Sequence, residues 1–340
     1  MMIAITGGGT GGHLAIAKTL AIELHNRGFQ TVFIGSSRGQ DKMWFENDNI
    51  FKFKYFLSSS GVVNKKGISK LTSLLNILKL SIKCGQIFKK HNINLVISVG
   101  GYSSAPASFA ALFFRKKFFI HEQNAICGRL NQILKPFCTK FFSSYGNNPY
   151  DYPVDKKFFA VSRVRNDLKT VIFLGGSQGA SFINSLALSL APRLDQKNIN
   201  IIHQCGEKDF DSLQKSYENL GIKVELFKFS PNIECFMSKA DICVSRAGAS
   251  TLWELAANAL PSIFIPFPYA AKNHQFFNAK FLQDKKLATI CEQKDANSEH
   301  ILNIIFQTDI NFISNSLKNT ILEGGAEKII AEVLQFNIKN

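Results

Sequence analysis

Three observations predict an α/β fold in two units. Short apolar runs alternate with amphipathic stretches from one end of the chain to the other, the pattern of βαβ construction. The alternation breaks once, in a Pro-containing stretch over residues 145–166, and then restarts. Each half opens in the same way, with a strand, a glycine turn and a helix.

In the first half, residues 3–6, 31–34, 95–99, 118–121 and 140–143 read as buried strands. Helical spacing fits residues 12–27, 68–90 and 105–114 between them. Residues 92–114 carry no charge and are long enough to span a bilayer, but Gly100-Gly101-Tyr102-Ser103-Ser104-Ala105-Pro106 at their centre is turn chemistry between a strand and a helix. Asn147-Asn148-Pro149 and Asp151-Tyr152-Pro153 mark the linker. The second half then offers strands at 170–174, 199–203, 223–227, 241–244 and 262–265, with a helix over 180–194 after the first. Ile329, Ile330, Val333 and Leu334 are spaced as one face of a final docked helix.

The composition excludes several classes. A chain of 340 residues, 46 % hydrophobic and 19 % charged, with 9 Pro and 23 Gly, is neither collagen-like, low-complexity nor disordered. Seven scattered cysteines with no C-x-x-C pair predict reduced thiols, neither a disulfide framework nor a zinc site. The first residues lack the basic flank and apolar core of an export signal, so a cytoplasmic location is expected.

The net charge of +15 is one-sided. Residues 1–165 hold 17 Lys and 6 Arg against 7 acids, a net of +16, whereas residues 166–340 hold 15 Lys and 2 Arg against 18 acids, a net of −1. No Asp or Glu occurs from Asn49 to His121, a stretch that includes Lys65, Lys66, Lys79, Lys83, Lys89, Lys90, Arg115 and Lys116. Such an imbalance predicts a negatively charged partner, an anionic membrane surface or a nucleic acid.

Five segments carry candidate chemistry. Gly7-Gly8-Gly9-Thr10-Gly11-Gly12-His13 joins a strand to a helix, where backbone N–H groups and the helix dipole favour an anion. The spacing matches a dinucleotide turn. Phe33-Ile34-Gly35-Ser36-Ser37-Arg38 lacks the ribose-binding acid, however, which disfavours NAD and leaves NADP open through Arg38. His13 is the one titratable side chain in the turn and suits a general base.

His121-Glu122-Gln123-Asn124 ends a strand at the sheet edge where ligands bind, or else ties down the next loop. Gly175-Gly176-Ser177-Gln178-Gly179-Ala180 can wrap a phosphate but is not a Walker A loop. Ser245-Arg246-Ala247-Gly248-Ala249-Ser250-Thr251-Leu252-Trp253-Glu254 starts a helix that can receive a diphosphate, with Glu254 able to accept two ribose hydroxyls. Pro266-Phe267-Pro268-Tyr269-Ala270-Ala271-Lys272-Asn273-His274-Gln275 is a loop ending in amides and a His. Asp209-Phe210-Asp211 matches a metal-binding D-x-D formally, yet its place at a helix start explains both acids, so no metal is expected.

In this order and across essentially the whole chain, the glycine, His121-Glu122-Gln123-Asn124 and Arg246-Ala247-Gly248-Ala249-Ser250-Thr251 motifs resemble the MurG family of bacterial transferases, which add GlcNAc to the undecaprenyl-linked MurNAc-pentapeptide precursor of peptidoglycan. The resemblance implies a GT-B fold, two Rossmann-like domains with parallel sheets facing across a cleft. It divides the chain into an N-terminal domain at 1–160, a UDP-GlcNAc domain at 166–322 and a C-terminal helix at 323–340 that packs back on the first. It also implies roles. Ser177 and Gln178 would contact the diphosphate, as would Ala249, Ser250 and Thr251 at their helix start. Glu254 would hold the ribose, Gln275 the sugar or a phosphate, the backbone at Ser230 the uracil, and Arg165 a phosphate. Thr10, Gly11, Gly12 and Asn124 would complete the donor and acceptor site, with His13 as acid-base residue and Glu122 as its alternate.

The implied reaction is a single inverting displacement without metal or cofactor, at the cytoplasmic face of the inner membrane and with no nucleic acid partner. The chain departs from the family at Leu14-Ala15-Ile16, at Cys127, at Val161-Ser162-Arg163-Val164-Arg165 and at Lys272. Other readings of the same residues are a UDP-GlcNAc 2-epimerase, a transferase with a soluble acceptor, an NADP reductase, or a nucleic-acid-binding first half.

Overall fold

The computed structural model describes residues 2–59, 61, 67–146, 149–176 and 178–338. The chain forms two compact units, Met1–Pro153 with Gly324–Asn340, and Val154–Glu323. In the first, strands β1 (Met2–Thr6), β2 (Gln30–Ser36), β3 (Phe53–Leu57), β4 (Ile93–Ser98), β5 (Lys117–Glu122) and β6 (Lys140–Ser143) make one sheet in the order β3-β2-β1-β4-β5-β6. Every pairing in it is parallel. Ile3, Ala4 and Ile5 are fully buried, as are Val32, Phe33 and Ile34. Helices cover both faces of the sheet, which is why its central strands are apolar without alternation.

Strand β3, with Lys54 inside it and Lys52 just before it, is not expected from the sequence. It is the edge strand, where one exposed flank tolerates Lys54. The uncharged stretch 92–114 resolves into β4, a 3₁₀ turn at Tyr102–Ser104 and the helix Ala105–Phe113. Among the described residues no helix is long and apolar enough to cross a membrane.

The second unit repeats the plan. Strands β7 (Thr170–Leu174), β8 (Asn200–Gln204), β9 (Val224–Phe227), β10 (Ile242–Ser245), β11 (Ser262–Phe264) and β12 (Thr289–Ile290) stand in the order β12-β11-β10-β7-β8-β9, again all parallel. Its core joins Val171, Phe173, Ile242 and Val244 to Ile183, Leu186, Leu190 and Leu194 on the helix Ser181–Asp195.

The units divide after Pro153, earlier than residues 160–166, because the helix Lys156–Ala160 belongs to the second unit. Its Phe158 is buried there, and the Phe158 carbonyl accepts from Asn258 Nδ2 at 3.2 Å. The helix Gly325–Ile338 returns to the first unit and packs on the helix Gly11–Asn26. Polar contacts fasten it: Arg27 Nη2 donates to Glu327 O at 3.1 Å, and Glu332 pairs with Lys140 and accepts from Tyr150.

Candidate active site

In each sheet the strand order reverses between two neighbours, and the loops leaving their carboxyl ends bound a crevice where α/β proteins take ligands. In the second unit these neighbours are β7 and β10, with Leu174 paired to Ser245 at their ends. The glycines after β7 do two jobs. A Cβ on Gly175 would lie 2.6 Å from the Ala180 nitrogen and one on Gly179 would overlap the Cys205 carbonyl, so these two let the turn pack on itself and on the end of β8. Gly176, by contrast, faces open space, as does Gly248 after β10. Gln178 is exposed, and Ser177 lies outside the described residues.

Gly248 precedes the helix Ala249–Ala257, whose start has no side-chain cap. Backbone N–H groups at such a helix start point out of the helix, the geometry that receives anions in α/β proteins. Ala249 and Ser250 are buried at this start and Thr251 is partly exposed. Glu254 follows one turn later, partly buried, and its carboxylate has no hydrogen-bond partner among the described residues. Burial pushes its pKa up to about 7; Lys157 opposes the shift, while Asp155 and Glu234 reinforce it. Lys157 is already committed to Glu234 at 2.7 Å and to the Pro231 carbonyl at 2.7 Å. An acid so placed needs hydroxyl or N–H donors from a ligand to ionise comfortably.

Arg246 ties the surrounding loops together. Its guanidinium lies 5.4 Å from the Phe182 ring and 5.5 Å from the Phe267 ring, and it donates to Ile265 O, Pro266 O and Gln293 Oε1. In the loop beyond, Lys272 and Asn273 adopt left-handed backbone (φ 54° and 53°), and Gln275 Oε1 accepts from the Phe267 N–H at 2.9 Å. Ser230 lies past β9 after exposed Phe229, its hydroxyl accepting from Asn232 N–H at 3.1 Å.

Arg165 has a different part from the expected phosphate contact. It is fully buried, with Nε on Ala240 O, Nη1 on Arg163 O, Asn258 O and Ala259 O, and Nη2 on Met237 O and Asn258 Oδ1. Every donor is spent on the protein, so Arg165 braces the unit and offers nothing to a ligand. Asp209 is likewise a brace: its carboxylate accepts from Ser181 Oγ and Asn184 Nδ2, and Asn184 continues to buried His203 and Tyr217. No cluster of His, Cys, Asp and Glu able to hold a metal occurs among the described residues.

In the first unit the reversal lies between β1 and β4, and the turns after these strands close on each other. Gly8 N–H donates to Gly100 O at 3.2 Å, a Cβ on Gly7 would lie 2.5 Å from the same oxygen, and one on Gly101 would overlap Gly8 O. The Gly9 N–H, the donor expected to meet a ligand anion, is taken by Oδ1 of buried Asp41. The turn is thus filled by the chain itself, which removes a dinucleotide phosphate from that seat. Asp41 escaped the sequence reading because an acid beside Gly35 and Ser36 carries no mark of burial.

Beyond this closure stand Thr10, Gly11, Gly12 and His13. Thr10 is exposed and its hydroxyl lies 3.0 Å from His13 Nδ1, while Gln123 Nε2 lies 2.9 Å from His13 Nε2. In the tautomer protonated at Nδ1, the ring donates to Thr10 and accepts from Gln123. Gln123, part of the candidate motif but without a role of its own in the sequence, is therefore the group that orients His13.

Glu122 is not a second base. Oε1 accepts from the Asn124 backbone N–H at 2.9 Å and from Asn124 Nδ2 at 3.4 Å, and Oε2 accepts from Gly128 N–H at 2.9 Å and Asn131 Nδ2 at 2.8 Å. A buried carboxylate with four donors clasps the loop, the structural alternative noted for this motif. His121 is fully buried edge-on to Tyr152, and burial pushes its pKa down to about 3, so it stays neutral. Past Asn124, a cavity of about 360 Å³ is lined by Cys127, Lys135, Phe141, Tyr145 and Tyr150.

Comparison with known proteins agrees with this division. Residues 3–143 match the glycosyltransferase family 28 N-terminal domain and residues 170–319 its C-terminal domain. A protein of Campylobacter fetus subsp. fetus, named UDP-N-acetylglucosamine--N-acetylmuramyl-(pentapeptide) pyrophosphoryl-undecaprenol N-acetylglucosamine transferase, is 65 % identical over 98 % of this chain and 100 % of its own length. A protein of the same name from Wolinella succinogenes is 48 % identical over 98 % of this chain and 100 % of its own. Among solved structures, Acinetobacter baumannii MurG shares the fold at TM-score 0.78 and 24 % identity, over 98 % of this chain and 99 % of that one. The UDP-GlcNAc 2-epimerase of Neisseria meningitidis shares it at TM-score 0.63 and 12 % identity, over 99 % and 100 %. At these identities fold alone does not separate transferase from epimerase, whereas the close relatives do. The chain belongs to glycosyltransferase family 28, among its UDP-N-acetylglucosamine--N-acetylmuramyl-(pentapeptide) pyrophosphoryl-undecaprenol N-acetylglucosamine transferases.

Proposed function

We infer that the chain moves GlcNAc from UDP-GlcNAc to the 4-hydroxyl of MurNAc in undecaprenyl-pyrophosphoryl-MurNAc-pentapeptide, with inversion at the donor carbon. The observation that supports the donor site is the Glu254 carboxylate, half-buried one turn inside the helix at the open crevice of the second unit and without a hydrogen-bond partner among the described residues. Two adjacent ribose hydroxyls supply the donors Glu254 lacks, and the helix start meets the diphosphate. Charge builds on that diphosphate as the glycosidic bond breaks, so the same N–H groups stabilise the departing UDP. Gln178, Ser177, Gln275 and the backbone at Ser230 complete the reading of the donor, the last by contact with uracil.

In the first unit His13 accepts the proton of the attacking hydroxyl at Nε2, where the acceptor takes the place of the Gln123 N–H, while Thr10 holds Nδ1. Gly11, Gly12 and Asn124 border the acceptor. The test is UDP release from UDP-GlcNAc in EDTA, with and without a lipid-linked MurNAc-pentapeptide analogue. Release only with acceptor supports the transferase, whereas release without it points to another activity on the same fold.

The acceptor is lipid-linked, and one surface suits that. On the helix Gly67–Lys90, Ile77, Leu80, Cys84, Ile87 and Phe88 are buried, while Leu71, Leu75 and Ile82 are more than half exposed and Leu74 and Leu78 nearly so. Phe113 and Phe114 are exposed on the adjoining helix end. Lys79, Lys83, Lys89, Lys90, Arg115 and Lys116 belong to the same segments, whereas Lys65 and Lys66 lie outside the described residues. This face rests on the anionic inner leaflet at the cytoplasmic side as a peripheral contact. Cosedimentation with anionic vesicles should exceed that with neutral ones severalfold at low salt, and Leu75→Glu should abolish the difference.

A further inference from the structure

We propose that Asp41 is a positioning residue of the transferase: its carboxylate occupies the anion seat of the first glycine turn and fixes the backbone from which Thr10 and His13 project. This rests on the reading of His13 as the base. Asp41 is fully buried at the start of the helix Asp41–Phe45. Its Oδ1 accepts from Gly9 N–H and its Oδ2 from Ser36 N–H at 2.7 Å, so one carboxylate bridges the ends of β1 and β2.

The glycines around it are spaced for this carboxylate. A Cβ on Gly8 would lie 2.6 Å from Oδ1, and a Cβ on Gly35 would lie 2.6 Å from Oδ2. Phe45 anchors the short helix between Phe33 and Phe51, at ring distances of 4.6 and 4.8 Å. From the other side the Tyr102 hydroxyl donates to Arg38 O at 2.8 Å, closing the loop that carries Asp41.

No cation pairs with Asp41 among the described residues, and burial pushes its carboxyl above the usual range while the Ser36 and Gly9 N–H groups pull it back. A buried acid held by two backbone N–H groups and faced by the Ser103 hydroxyl, with no cation opposite, is destabilising unless that backbone must be held. Gly9 is followed by Thr10, which precedes the helix Gly11–Asn26 and contacts His13 in its first turn. An ångström of slack at Gly9 is therefore passed to the base.

The test compares Asp41→Ala, the near-isosteric Asp41→Asn, His13→Ala and the double variant Asp41→Ala/His13→Ala, reading kcat for acceptor-dependent UDP release, UDP affinity and sodium formate rescue. Loss of kcat by about tenfold to a hundredfold in both Asp41 variants is expected, with UDP affinity within about twofold of wild type. Formate should restore part of the loss in Asp41→Ala by refilling the seat, and none in Asp41→Asn. In the His13→Ala background the Asp41 change should add little, because the two act as one unit.

Wild-type kcat in both Asp41 variants would overturn the proposal, as would full additivity with His13→Ala or a parallel fall in UDP affinity. If Asp41→Ala does not fold, Asp41→Asn and its double variant decide by the same kcat and additivity criteria. If His13→Ala itself is silent, the base reading has failed, which is a separate result.

Discussion

The two units have the same strand order, the same parallel sheet and a glycine turn at the same place, yet one crevice is filled and the other open. In the first, Gly8 and Gly101 let two turns interlock and Asp41 takes the free N–H. In the second, Gly176 and Gly248 border space, and no hydrogen-bond partner of the Glu254 carboxylate occurs among the described residues. Glycines after a strand thus signal close backbone approach, and only the structure says whether a ligand or the chain itself approaches. We read the filled crevice as a rigid mount for His13, the proposed base. The open one is the proposed nucleotide site.

The largest effect that sharpens this contrast is at His13. His13→Ala should lower kcat by about 10²–10⁴-fold while UDP-GlcNAc affinity stays within about threefold, because the filled crevice contributes a base and no donor contact. Isothermal titration beside steady-state kinetics would check it. Loss of donor affinity in step with kcat would break the contrast.

Glu254 should behave in the opposite way. Glu254→Gln removes charge-assisted bonds to two hydroxyls, so donor affinity should fall by about tenfold to a hundredfold. The effect should depend on pH. With the free group at a pKa of about 7, wild-type affinity for UDP-GlcNAc weakens as pH falls below 7, by up to about tenfold per unit, and the Gln variant loses this dependence. Stability carries the opposite sign. A carboxyl whose pKa is raised by folding favours the folded state when protonated, and that contribution is lost as pH rises through 7. Glu254→Gln should therefore stabilise the protein at pH 8 by on the order of 3 kcal/mol at most, seen as a raised Tm, and change Tm little at pH 5.

These residues also mark how far the sequence alone reaches. Strands buried on both faces are legible as continuous apolar runs, which is why Ile3–Ile5 and Val171–Leu174 stood out. Edge strand β3 did not, since Lys52 and Lys54 around its start resemble a solvated loop, and two-residue β12 is too short to carry a pattern. Glu254 was legible because the acid, the glycine and the strand lie within a dozen residues of each other. Asp41 reaches Gly9 across 32 residues, and Arg165 finds its six carbonyl acceptors on segments 2 to 94 residues away. A charged residue's burial is decided by such distant partners, and the local sequence does not name them.

The smallest changes in the chain add one methyl to each crevice, and they test the contrast most directly. Gly8 has φ 152°, a conformation that L side chains rarely adopt, and its new Cβ would meet the Asp41 carboxyl at 2.6 Å. Gly8→Ala should destabilise the protein by more than about 2 kcal/mol, seen as a lowered urea midpoint at unchanged slope. Gly248 has φ −65°, and a Cβ there meets nothing within 4 Å. Gly248→Ala should change stability by no more than about 0.5 kcal/mol. If the donor phosphates enter where that Cβ would stand, the same silent methyl should still weaken UDP-GlcNAc binding severalfold. A substitution neutral for folding and harmful for binding identifies space kept for a ligand, whereas one neutral for both would show that the second crevice is open without being used.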